Sequence, residues 1–86
     1  MSEPAPGANL LMVEDSASLA RLYEAHLAQQ GHRVTVCETG EAALDSLENL
    51  RPDLVLLDLE LPGMSGMEVL EVLARRAAPP AVIIIT

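Results

Sequence analysis

Three acids stand where an α/β chain gathers its chemistry. Glu14 and Asp15 directly follow the apolar run "NLLMV", and Asp58 directly follows "LVLL". In a parallel sheet, functional groups collect at the carboxyl ends of the strands. If the first and third strands are neighbours, the three carboxylates meet in one shallow pocket, with the hydroxyl of Thr86 at its rim. Like charges at such range repel, so either one takes up a proton or a cation settles among them. Carboxylates and water are the ligands Mg²⁺ prefers. A carboxylate beside Mg²⁺ can also attack phosphorus and form an aspartyl phosphate, the metal screening the approach and taking up transition-state charge. That chemistry gives Asp58 a reason to stand apart on its own strand.

The elements that must position these acids are legible from hydrophobic spacing. "NLLMV" is a short continuous apolar run and predicts a strand buried on both faces. "SASLARLYEAHLAQQG" has helical spacing, with Leu19, Leu22, Tyr23 and Leu27 on one broad face and Gly31 placed to end it. Asp15 is a candidate N-cap for that helix as well as a ligand. "RVTVC" predicts a β-branched strand. Thr39 can cap a helix over "GEAALDSLENL", with Ala43, Leu44 and Leu47 as its apolar stripe and Pro52 as its stop. "LVLLD" predicts a second buried strand. Ser65 and Glu68 form a capping box for "GMEVLEVLARR", whose Arg75 and Arg76 sit in the last turn, where the dipole favours cations. Pro62 and Gly63 shape the loop after Asp58, and Gly66 lets this helix start tightly. Pro79 and Pro80 break the chain before a last strand, "AVIIIT". The order β-α-β-α-β-α-β with short connections predicts right-handed crossovers and a parallel sheet covered on both faces.

Composition bounds the remainder. The chain has 86 residues, enough for one small domain, with residues 1–8 expected to be a disordered N-terminal segment and 9–86 the domain. Half of it is apolar, yet it holds one Tyr and no Trp or Phe, which suits the layered aliphatic packing of a parallel sheet. A net charge of −8, with five Arg and no Lys, opposes binding of nucleic acid or a membrane surface by this segment. One cysteine excludes an internal disulfide and fits a reducing compartment. The polar, acidic start is no signal peptide, and no apolar run reaches a membrane span. A soluble cytoplasmic domain is the expectation.

"LLMVEDSAS", "LVLLDLELPGMSGMEVL" and "AVIIIT" together resemble the receiver domains of bacterial two-component response regulators. The acidic pair, the segment after Asp58 and the closing Thr match in order and spacing from about Asn9 to Thr86. The resemblance implies a flavodoxin-like parallel sheet in strand order 2-1-3-4. It implies Asp58 as phosphoacceptor for a histidine kinase or phosphotransfer protein. It implies a Mg²⁺ ion held by Asp15 directly, by Glu14 mostly through water, by Asp58, and by the backbone carbonyl of Glu60. Thr86 becomes the switch hydroxyl. "LLMVEDSASLARLYEAHL" is most similar to the sigma-54 activators of quorum sensing and nitrogen regulation, in which a receiver precedes an ATPase and a DNA-binding domain. Receivers also carry a Lys and an aromatic residue after a fifth strand. This chain has no Lys, so the expectation is a receiver truncated before the last helix-strand-helix, able to bind metal but not to stabilise a phosphoryl group fully. The exposed fourth strand is then expected to pair with a second copy.

Plainer readings stand beside these. Asp58 could cap the turn that follows it, and Glu14 and Asp15 could serve the first helix dipole. Cys37 reads as an inert thiol, His26 and His32 make no metal spacing with it, and Met64 and Met67 read as packing or loop residues. Glu41, Asp45, Glu48, Glu68 and Glu71 read as solvated helix faces. Two other functions compete: a receiver-shaped scaffold that is never phosphorylated, and a phosphohydrolase of the haloacid-dehalogenase type. The second wants an Asp two residues after the nucleophile, where this chain has Glu60.

Overall fold

The computed structural model describes residues 7–85. Four strands and three helices alternate: β1 (Asn9–Val13), α1 (Ala17–Gln29), β2 (Arg33–Cys37), α2 (Gly40–Leu50), β3 (Leu54–Leu57), α3 (Gly66–Ala74) and β4 (Ala81–Ile84). All strand pairs are parallel, in the order β2-β1-β3-β4. The predicted element order and the 2-1-3-4 sheet are both present. Residues 1–6, most of the segment expected to be disordered, lie outside the described residues, as does Thr86. Ala8 donates its N–H to His32 Nδ1 at 3.1 Å and accepts from the Arg33 amide at 2.9 Å.

The chain order forces the layers. From β1 the chain steps one way to β2, then back across β1 to β3 and on to β4. Right-handed crossovers therefore put α1 on one face and α2 with α3 on the other. On the α2/α3 face, Leu11, Val13, Val55 and Leu57 interlock with Ala43, Leu47, Val69 and Leu73 in one aliphatic core. Strand alternation turns Leu10 and Met12 to the opposite face, and both are buried. β1 is thus dry on both sides, which is why its sequence shows no alternation.

The helix ends are held as their residue types dictate, with two corrections. Thr39 accepts from the Ala42 amide at 3.1 Å, and Ser65 and Glu68 form the reciprocal capping box. Ser16, not Asp15, caps α1, its hydroxyl accepting from the Leu19 amide. That leaves the Asp15 carboxylate for the pocket. Arg75 and Arg76 do not lie in the last turn of α3. The helix ends at Ala74, Arg75 is its C-cap, and Arg76 follows.

The face of α1 also differs from expectation. Ala20 is its buried residue, while Leu19, Leu22 and Tyr23 are exposed. A small side chain lets the helix lie close to the sheet, and its larger apolar residues fall along the flank. β4 is exposed at Ala81, Ile83 and Ile84 and half-buried at Val82, which packs against the α2/α3 core.

Candidate functional site

Register builds the site. Val13 pairs with Leu57 across β1 and β3 and with Cys37 across β1 and β2. The ladder continues one step, with the Asp58 amide donating to the Val13 carbonyl at 3.1 Å and the Glu14 amide to the Cys37 carbonyl at 3.0 Å. The residues that follow Val13 and Leu57 are therefore set level at the carboxyl edge of the sheet. Carboxylate oxygens of Glu14, Asp15 and Asp58 all lie within 4.8 Å of one another. The three acids singled out in the sequence are brought together.

Their environments differ. Glu14 is buried, with 4% of its surface exposed, and one of its oxygens accepts from the Ser16 amide at 3.1 Å. Asp15 is exposed and Asp58 is half-buried. Asp58 Oδ1 accepts from the Glu60 amide at 2.9 Å, an Asx turn that fixes the carboxylate's rotation and leaves its other oxygen for chemistry. Burial pushes the Glu14 carboxyl above its ordinary value. The Ser16 amide opposes that rise, and the negative charge of Asp58 adds to it. The pocket therefore disfavours its own full ionisation unless a cation is supplied.

The donor set fits a hard divalent ion. All three side chains offer carboxylate oxygen, which suits Mg²⁺, Ca²⁺ or Mn²⁺ and not the softer metals that seek sulfur. Glu60 is exposed beside Asp58, its amide engaged in the turn. Ile85 donates to the Leu57 carbonyl at 2.9 Å, so the chain runs alongside β3 up to the last described residue.

Three supports were not evident from residue type alone. Gly66 is buried against the Asp58 carbonyl and Leu59, and a Cβ there would run into that backbone. Its amide also donates to the Leu59 carbonyl at 3.1 Å. Spacing gives the helix start at Gly66 but not this close approach. The Ser16 amide that holds Glu14 follows from the tight turn between β1 and α1. Asp53 exchanges two bonds with Asn9, both at 2.8 Å, and so pins β3 to β1 at the opposite edge. Cys37 and Met64 are half-buried against the core, whereas Met67 and His26 are exposed.

Comparison with known proteins agrees with this geometry. Residues 10–86 match the family described as response regulator receiver domain. Regulatory protein LuxO of Vibrio vulnificus is 50% identical over 74 residues, covering 86% of this chain and 16% of that protein. The DNA-binding response regulator MtrA of Mycolicibacterium paratuberculosis is 44% identical over 75 residues, covering 87% of this chain and 33% of that one. Among solved structures, a signal receiver domain from Vibrio parahaemolyticus, described as part of a LuxO repressor, superposes with a TM-score of 0.84 at 40% identity. That match covers 91% of this chain and 60% of the other. The chain thus spans a small part of the curated relatives it matches.

Proposed function

We propose, from the premise that this chain belongs to the response regulator receiver domain family, that it is the phosphoacceptor of a two-component signalling system. Its phosphodonor is a histidine kinase or a phosphotransfer protein. The observation that carries this reading is the meeting of Glu14 and Asp15 with Asp58, whose carboxylate is half-buried and oriented by the Glu60 amide.

The reaction is a displacement at phosphorus. The Asp58 oxygen not tied into the Asx turn attacks the phosphoryl group. An O–P bond forms, the donor's P–N bond breaks, and the electron pair stays on the donor's imidazole nitrogen, which is then protonated. Glu14, Asp15, Asp58 and the backbone carbonyl of Glu60 would hold Mg²⁺, which supplies charge neutralisation at the incoming phosphoryl oxygens. Thr86 is the hydroxyl that reads the phosphoryl group. The added charge biases the chain around it and so an attached output. The names of LuxO and MtrA favour transcription as that output. The product is a mark on the protein itself, with no turnover of a metabolite. A second copy is a further partner: β4 lies at a sheet edge among the described residues, with Ile83 and Ile84 exposed.

Incubation with acetyl phosphate and Mg²⁺, read by intact mass, tests the reading. One phosphoryl group is expected on the wild type, and none on Asp58→Asn or after chelation. Steady hydrolysis of a small phosphoester with no labelled protein would favour a phosphohydrolase instead.

A further inference from the structure

The edge of the sheet opposite the carboxylates carries a second constellation. A cavity of about 220 Å³ is lined by Leu47, Arg51, Pro52, Arg76, Ala78 and Pro80. It lies where the α2–β3 and α3–β4 connections meet, so its two arginines come from separate segments. Arg51 is the C-cap of α2 and Arg76 follows the C-cap of α3, and both line the one cavity.

Three observations give these arginines a role beyond solvated surface. First, the chain has only five basic residues against a net charge of −8, and two of the five line this cavity. Second, among the described residues neither guanidinium has a carboxylate partner within 4.0 Å. Arg33, by contrast, is engaged with Asn9 at 2.8 Å. Third, Arg51 adopts a left-handed backbone (φ 46°, ψ 64°) to close α2, immediately before Pro52. Glycine or asparagine takes that conformation more easily. The helix cap itself uses only the Arg51 backbone amide, bonded to the Leu47 carbonyl at 3.0 Å, and leaves the guanidinium uncommitted.

We propose that this cavity binds a compact organic anion, its charged head gripped by Arg51 and Arg76 and its apolar body resting on Leu47, Pro52 and Pro80. Guanidinium forks match the oxygen geometry of phosphate and carboxylate, and two of them lining one cavity favour such a head. Leu47 is buried beneath the opening, and the two prolines present flat apolar surface beside it. The volume suits one ring and a charged group. The long-range field of an acidic chain repels anions, so binding here requires the local pair. The site is at the opposite end of the strands from Asp58, and its ligand does not compete for the metal pocket.

The test is a titration of the full chain with phenyl phosphate, followed by amide NMR shifts, with inorganic phosphate in parallel. Saturable shifts confined to residues 47–52 and 76–80 are expected, with phenyl phosphate several-fold tighter than phosphate. Arg76→Gln and Arg51→Gln should each weaken binding by about tenfold, the loss of one charge-assisted contact. Arg21→Gln, on α1, should leave it unchanged. Should Arg51→Gln fail to fold, Arg76→Gln carries the comparison. No saturation, equal affinity for the two phosphates, or binding that survives Arg76→Gln would overturn the proposal. So would binding of a glutamate-rich peptide by a chain that ignores phenyl phosphate.

Discussion

Val13 and Leu57 are direct partners across β1 and β3, and the Asp58 amide is bonded to the Val13 carbonyl at 3.1 Å. That pairing makes Glu14 and Asp58, 44 positions apart in sequence, neighbours at the sheet edge. A slip of one residue would turn the buried pair Val13 and Leu57 out of the core, so burial enforces the register and the register places the acids.

Metal should stabilise the fold. An ion bound only by the native state adds about 2.7 kcal/mol at a hundredfold excess over Kd. In a domain of this size each kcal/mol moves Tm by about 4–8 °C. Calorimetry should therefore show a rise of about 10–20 °C at that excess of free Mg²⁺. Glu14→Gln combined with Asp15→Asn should abolish it, and a double variant that keeps the rise would place the ion elsewhere.

Without metal, Glu14 should weaken the fold as pH rises. Its carboxyl is held above 4.5 in the native state by burial, so the folded chain binds that proton more tightly than the unfolded chain. Stability contributed by this group is full below pH 4.5 and is lost as pH rises through the raised native value. Glu14→Gln keeps an acceptor for the Ser16 amide and removes the titration. In EDTA the variant should be the more stable protein near neutrality, with the difference closing below pH 4.5. Urea denaturation across the pH series checks this, and parallel profiles would contradict it.

Gly66→Ala should damage the site from behind. The added methyl meets the Asp58 carbonyl and Leu59 backbone, which have no flexible end to yield. A loss of about 1–3 kcal/mol is expected from overpacking, together with weaker Mg²⁺ binding as the Asp58 loop shifts. Ser65→Ala, one residue earlier, removes a cap worth about 1 kcal/mol and should leave Mg²⁺ affinity unchanged. Parallel melts and Mg²⁺ titrations of the two variants separate loop displacement from general loss of stability.

Much of this was legible in the sequence for a physical reason. The run "NLLMV" is dry on both faces in the fold, as a central parallel strand tolerates, whereas "LVLL", expected to be buried throughout, buries Val55 and Leu57 on one face and leaves Leu54 and Leu56 half-exposed on the other. Capping residues act locally, so Thr39, Ser65 and Glu68 could be placed from neighbours alone. Ser16 displaced Asp15 as a cap because both types compete within one residue of the same helix start. The face of α1 departs from its spacing because periodicity follows the widest apolar arc, and Leu19, Leu22 and Tyr23 outweigh Ala20 there. Close approach at Gly66 and the left-handed turn at Arg51 depend on tertiary placement and leave no spacing signal.

Self-association should follow concentration. Light scattering is expected to report growing mass as the chain is concentrated, and Ile83→Lys should suppress it by charging the exposed face of β4. A monodisperse monomer at high concentration would contradict pairing through that strand.

The central claim is that Glu14, Asp15 and Asp58 share one divalent ion. Paramagnetic broadening of amide signals by Mn²⁺ reads it most directly. The account predicts that the signals of Asp15 and Asp58 fade together at one equivalent and return with excess Mg²⁺. Fading of Asp15 while Asp58 stays sharp, or broadening that persists in Asp15→Asn with Asp58→Asn, would contradict it.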